Sequence, residues 1–266
     1  MTNTPDVDPV LAHYGRQAAE HGHQPTSTMS DLTTREREVA AVMACLDLVL
    51  PPDGAGAEVL EVGCGNGYLL AELSARYGQA RLMGTDWSPD MVALASERGL
   101  PHTSVQREDV RALSFDAGRF EAVVTERCLV NLLDPAEQDQ AVRELHRVLA
   151  PGGHLVFIEA FALGLENLNA ARDELGLAPN EVPFHNLWFD VAHFDGVIAG
   201  LFEHVRDDAV PPPNFLSSHY FVSRVLYPAV TRSAIRYNTE FVRFFDFLEP
   251  RGDFCPIRLH LLRKLA

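Results

Sequence analysis

The chain is short of positive charge. Its 266 residues carry 22 Lys and Arg against 37 Asp and Glu, a formal balance of −15. A surface that holds nucleic-acid phosphates needs a positive field, so that partner class is excluded. Cysteine is scarce as well: Cys45, Cys64, Cys128 and Cys255 lie far apart and form no CxxC pair. That excludes a disulfide framework and a cysteine-built zinc site, and it suits a reducing, cytoplasmic setting. No apolar run comes near the ~20 residues that cross a bilayer. The best stretch, 154–165, is short and contains Glu159. The start is acidic, with no basic stretch leading into an apolar one, so neither a secretory signal nor a membrane partner is expected. His13, His21 and His23 are close in sequence, but histidines so placed in a polar arm are usually solvated; no metal is expected.

What is present suffices for a core. Apolar residues make up 47% of the chain, and a chain of this size buries roughly three quarters of its unfolded surface. The composition is uneven. From Pro211 onward there are 8 basic and 4 acidic residues, a balance of +4, against −19 for the first 210. Of 15 phenylalanines, 11 lie from Phe184 onward. The last third therefore presents a different kind of surface.

Residues 1–30 read as a polar, loosely ordered arm with one helical turn near Tyr14. Thr33 and Glu36 stand at capping-box spacing, and the apolar pattern predicts a helix over 33–50, stopped by Pro51-Pro52. Strands are expected at 57–62, 81–86, 104–107, 120–125 and 154–160, with helices at 68–77, 88–98 and 134–149 between them. That rhythm predicts a mostly parallel sheet covered on both faces. After Ala160 it fails. Residues 161–193 read as an insertion holding the aromatic run 184–189. A helix at 194–201, a sixth strand at 202–210, a Pro211-Pro212-Pro213 break, a mixed segment at 217–248 and a last strand at 256–264 complete the chain.

The sharpest signal is Glu61-Val62-Gly63-Cys64-Gly65-Asn66-Gly67 between a strand and a helix. Glycines let the chain turn tightly and let a ligand approach bare backbone. A carboxylate at Glu61 is ill placed under a pyrophosphate, but it suits a cationic ligand or amino and hydroxyl donors.

This stretch resembles the first motif of the class I S-adenosylmethionine-dependent methyltransferases. Gly84-Thr85-Asp86-Trp87-Ser88 resembles the second and Arg107-Glu108-Asp109-Val110 the third. Residues 120–125 resemble the fourth strand, and 144–153 the approach to the fifth. The resemblance covers about 57–160. It implies an α/β fold: a Rossmann-like, doubly wound, mostly parallel seven-stranded sheet with helices on both faces. A lid (1–50), a core (51–160) and a remainder (161–266) follow, with acceptor insertions at about 161–193 and 211–248. It implies S-adenosyl-L-methionine as cofactor, contacted by Glu61, Gly63, Cys64, Gly65, Asn66, Gly67, Asp86, Trp87, Asp109, Val110 and Thr125. Asp86 would accept the ribose hydroxyls and Asp109 the adenine amino group, with Glu108 as the alternative in register. Plainer roles stand beside these: Asp86 as a helix cap, Asp109 as a solvated loop acid, Trp87 as packing, Cys64 as a small residue in a tight loop. Thr125-Glu126-Arg127 departs from an acid-rich catalytic motif. The absence of an Asn-Pro-Pro-Tyr-like sequence argues further against a nucleic-acid base as target.

A sulfonium methyl is already activated, so transfer needs alignment and desolvation of the acceptor. The acceptor expected is a carbon-rich small molecule, such as a secondary-metabolite intermediate. His185 and His193 are the candidate bases. Tyr14, Trp188, His219 and Tyr220 are the candidate acceptor contacts, and the N-terminal arm is the expected cover. Arg224, Arg232, Arg236 and Arg243 form a basic face, for pairing with the acidic core or for an acidic substrate group. The alternatives are a protein or carrier-bound substrate docked on the basic third, or a non-catalytic S-adenosylmethionine-binding protein. A homodimer is left open.

Overall fold

The computed structural model describes residues 8–265; the first residues of the expected arm lie outside that range. A single sheet of seven strands organises the molecule, in the order β3-β2-β1-β4-β5-β7-β6. These are β1 (Glu58–Val62), β2 (Arg81–Asp86), β3 (Thr103–Arg107), β4 (Phe120–Glu126), β5 (Leu149–Ala160), β6 (Phe202–His204) and β7 (Ile257–Lys264). The first five pair in parallel, and β7 runs antiparallel to β5 and β6. The order reverses at β1, so the carboxyl ends of β1 and β4 open a crevice, the usual ligand position in such sheets.

Alternating side chains feed two apolar layers. Val59, Val156 and Ile158 pack with helices α2 (Leu32–Val49) and α3 (Tyr68–Arg76) on one face. Leu60, Leu155 and Phe157 pack with α5 (Pro135–Val148) and α7 (Val191–Ile198) on the other. Helix α4 (Pro89–Glu97) starts where expected, with Ser88 as its cap and Pro89 in its first turn.

Several expectations need correction. The arm holds not one turn but a 13-residue helix, α1 (Pro9–His21), capped by Asp8. Helix α2 is capped by Asp31, which accepts from the Thr34 N–H, so Thr33 and Glu36 form no capping box. The stretch after β5 opens with a 13-residue helix, α6 (Ala162–Glu174), before its loop. β6 ends at His204, because the chain past Val205 leaves the sheet edge. The mixed segment folds as α8 (Ser217–Phe221), a π turn (Val222–Leu226), α9 (Tyr227–Thr231) and α10 (Glu240–Arg243). Arg224 leaves the expected basic face: it is buried and paired with Asp31 at 3.0 Å.

Candidate active site

The crevice is a cavity of about 310 Å³ under α1. Glu61, Gly63, Cys64 and Gly65 form its floor. Asp86, Trp87, Asp109 and Val110 form one end, and Tyr14, with Val10 and Leu11, forms the roof. Nine residues expected at a ligand site therefore meet around one space: those eight floor and end residues, and Tyr14.

The floor is bare backbone by necessity. Gly63 has φ +72°, and an added Cβ would stand 2.6 Å from the Cys128 side chain. Gly65 has φ +52° and nothing nearer than 3.8 Å, so its open side faces the cavity. Left-handed backbone of this kind favours glycine.

The acids are held differently. Asp86 accepts the Gly65 N–H at 2.9 Å and the Ser88 N–H at 2.8 Å, which fixes the glycine loop against the end of β2. Burial raises its carboxyl above the ordinary range, against those backbone bonds. Asp109 receives the Arg111 guanidinium and N–H, and this pairing lowers its carboxyl. Glu108 is engaged as well, by Ser114 and Gln106, so both acids at the cavity's end already carry partners. Glu61 is 3% exposed, and its Oε2 finds no hydrogen-bond partner among the described residues. Burial pushes its carboxyl well above the usual range, with Glu126 adding to the effect. An orphaned buried carboxylate is costly unless a donor or cation completes it. Trp87 is 45% exposed and carries the Arg107 guanidinium 4.1 Å from its ring centre.

Sequence reading missed one wall. Arg35 on α2 pairs with Glu126 at the end of β4, and Arg127 pairs with Glu38 at 2.9 Å and with Glu126 at 3.0 Å. Arg35, Glu126 and Arg127 line the cavity. Arg127 has φ +55°, a conformation non-glycine residues seldom adopt, and its side chain is tied to Glu38, Glu126 and the Thr28 carbonyl. Only α2's position in space reveals this wall; no local spacing announces it.

Other expected residues lie elsewhere. The Asn66 amide turns away from the cavity and donates to the Gly22 and Gln24 carbonyls at 2.8 and 3.0 Å, holding the end of the arm. Gly67 opens α3 in left-handed backbone. Thr125 is buried and donates to Glu159. His219 is enclosed and bonds Asp31 at 2.9 Å, and Tyr220 packs under Arg224, so neither belongs to the cavity wall. His193 bonds Asp139 at 2.8 Å on the outside of α5. His185 stacks on His13 of α1 at 4.1 Å, beside Tyr14 but outside the cavity wall. Burial and His13 lower His185 to about 4, so it is neutral at neutral pH. Trp188 packs into the α5 layer, its indole N–H without a partner among the described residues.

The family model described as "Methyltransferase domain" matches residues 59–153. A malonyl-[acyl-carrier protein] O-methyltransferase of Herminiimonas arsenicoxydans is 31% identical over 207 residues, 77% of this chain and 71% of that protein. A demethylmenaquinone methyltransferase of Thermus thermophilus is 36% identical over 134 residues, 49% of this chain and 55% of that one. The chain spans between 30% and 55% of the length of the first curated relatives it matches. Among solved structures, the N-methyltransferase NodS of Bradyrhizobium japonicum, in complex with S-adenosyl-L-homocysteine, superposes with a TM-score of 0.58. It is 19% identical, and the match covers 97% of this chain and 100% of that one, a likeness of fold.

Proposed function

Because the chain belongs to the class I S-adenosylmethionine-dependent methyltransferases, we propose that it moves a methyl group from S-adenosylmethionine to a small-molecule acceptor. The observation that carries this reading is the orphaned Glu61 carboxylate beside the bare backbone of Gly63 and Gly65, with Asp86 in the same cavity. Those residues fit the cofactor: Glu61 would take its amino end, Asp86 its ribose, and Asp109, Val110 and Trp87 its adenine. The cofactor supplies an electrophilic methyl on sulfur.

The chain's own contribution is placement and dryness. Tyr14 hydrogen-bonds Asn131 at 3.2 Å, and α1 roofs the cavity, which excludes water and raises the strength of every charge inside. The charged wall of Arg35, Glu126 and Arg127 is held by its own ion pairs, so little reorganisation is left to the reaction. His185 stands next to the roof but outside the cavity wall, and at about 4 it is a weak base, so it and Trp188 are proposed only as edges of the acceptor chamber. The aromatic loop favours a carbon-rich acceptor of secondary metabolism, and four free cysteines favour the cytoplasm.

A second reading has its own support. The Herminiimonas relative is named for a substrate borne on an acyl carrier protein. A carrier-borne acceptor would reach the same cavity. Calorimetry with S-adenosylhomocysteine, followed by an assay of S-adenosylhomocysteine release with free and carrier-bound acceptors, tests both. No binding to the folded chain would refute the cofactor assignment.

A further inference from the structure

The turn after β4, Leu129–Asn131, is gripped from two sides by side chains that take no part in the cofactor assignment. Glu159, near the end of β5, is fully buried. It accepts the N–H groups of Cys128 and Leu129 at 3.0 Å, that of Val130 at 3.3 Å, and the Thr125 hydroxyl. Three successive N–H groups converging on one carboxylate form an anion nest filled from within. From the opposite side Gln138, a buried residue of α5, donates to the carbonyls of Leu129, Leu132 and Leu187 at 3.2, 3.3 and 2.8 Å. Glu159 thus takes three N–H groups at the start of the turn, and Gln138 donates to the Leu129 and Leu132 carbonyls.

A charge in an apolar layer costs several kilocalories per mole unless it is fully bonded, and a leucine would fill either position in the layer. What the turn does is line the cavity. Cys128 sits against Gly63, where no Cβ fits, and Asn131 holds Tyr14 of the roof. Leu187 brings the aromatic loop into the same unit, since its N–H also donates to Val130.

We infer that Glu159 and Gln138 are positioning residues: together they set the β4–α5 turn as a rigid wall that aligns the roof, the glycine floor and the aromatic loop around the ligand. The inference rests on the cofactor reading, because the wall is assigned by what it encloses. Burial raises the Glu159 carboxyl to about 7 even with four donors on it.

Two variants test it. Glu159→Gln keeps the shape but turns an amide N–H₂ toward donor N–H groups; Gln138→Met keeps the volume and removes the donors. Affinity for S-adenosylhomocysteine is read by calorimetry well below the melting midpoint, and amide exchange is read over 128–132, with β1 as internal reference. The expected result is a loss of about tenfold in affinity for Glu159→Gln and about threefold for Gln138→Met, the scale of hydrogen bonds to charged and neutral groups. Exchange should quicken in 128–132 and α1 while β1 stays protected. Unchanged affinity with unchanged protection in 128–132 overturns the inference. So does loss of protection in β1 in step with the turn, which marks a general structural role. Should Glu159→Gln fail to fold, Gln138→Met decides alone. Should the wild-type chain take up no S-adenosylhomocysteine, the cofactor reading falls, and the exchange pattern still decides whether the pair fixes the turn.

Discussion

Two halves of the cavity are built by different means. The floor and the far end come from one continuous stretch, in which β1, the glycine loop and the end of β2 meet through short-range backbone geometry. Gly63 and Gly65 adopt left-handed φ, and Asp86 bonds Gly65 across 21 residues. The roof and the near wall are assembled from α1, α2 and the β4–α5 turn, with the loop before α7 packed behind them. Tyr14 reaches Asn131 across 117 residues, and Arg35 reaches Glu126 across 91. A local device tolerates change elsewhere in the chain, whereas an assembled wall depends on every element that holds it. The floor should therefore fail by single residues and the wall by loss of tethers.

The largest effect should separate two glycines. Gly63→Val puts a branched side chain into Cys128 at 2.6 Å and forces an unfavourable φ. It should cost about 3 kcal/mol or more of stability and abolish cofactor binding. Gly65→Val meets nothing nearer than 3.8 Å and should cost about 1–2 kcal/mol of strain while still abolishing binding. Thermal melts and calorimetry on both variants decide. Equal destabilisation would mean that Gly65 too is packed, not open to ligand.

His219→Ala comes next and should act in the opposite way. It leaves the buried Asp31 carboxylate with Arg224 and the Thr34 N–H but without its imidazole partner. Burial works against that carboxylate, yet the His219 bond and the Arg224 charge hold it well below the usual range. Removing one partner should cost about 2–4 kcal/mol, with cofactor affinity changed by less than twofold. A large loss of affinity without a loss of stability would return His219 to the ligand site.

Asp86→Ala should weaken cofactor binding by about 1–3 kcal/mol, the scale of lost bonds to a charged group. Part of that loss would come through the Gly65 N–H, which Asp86 holds in place. Calorimetry of the folded variant reads it, and unchanged affinity would sink the ribose assignment.

The sequence made the floor readable because its chemistry is local. The glycines mark which backbone is bare, and the family resemblance adds Asp86 and Asp109 as acids at the strand ends. The sheet followed from the same stretch, since strands alternating with helices leave few arrangements. The wall was not readable. Arg35 looks like an ordinary solvated position of an amphipathic helix until α2 is laid beside β4. His219 and Asp31 are 188 residues apart, so a histidine that tethers α8 to the cap of α2 has the same sequence signature as one that faces a ligand. Asn66 lies in the glycine loop and yet serves the arm, because its side chain and its backbone point to different neighbours. The extent of α1 did have a local signal: Asp8-Pro9 is the same cap-plus-proline start as Ser88-Pro89 and Asp134-Pro135.

The smallest effect concerns the seam between roof and loop, where the two His13 and His185 rings stack at 4.1 Å. Burial and the neighbouring imidazole depress His185 to about 4, against about 6.5 in an unfolded chain. Burial, with Arg16, lowers His13 as well. A group whose folded value is depressed lends its stabilisation fully above its unfolded value and loses it as the pH falls toward the folded one. The seam should thus be intact at pH 7.5 and loosen progressively between about 6.5 and 4. His185 is only partly buried, so solvent screening keeps the effect local and modest. Amide exchange of α1, corrected for the intrinsic rate at each pH, should show falling protection across that window while β4 and β5 stay protected. His185→Phe keeps an aromatic ring against His13 and removes one titrating group, and it should flatten most of the dependence. If the variant retains the full dependence, the acids beneath the roof govern its closure, and the seam belongs to the fixed part of the wall.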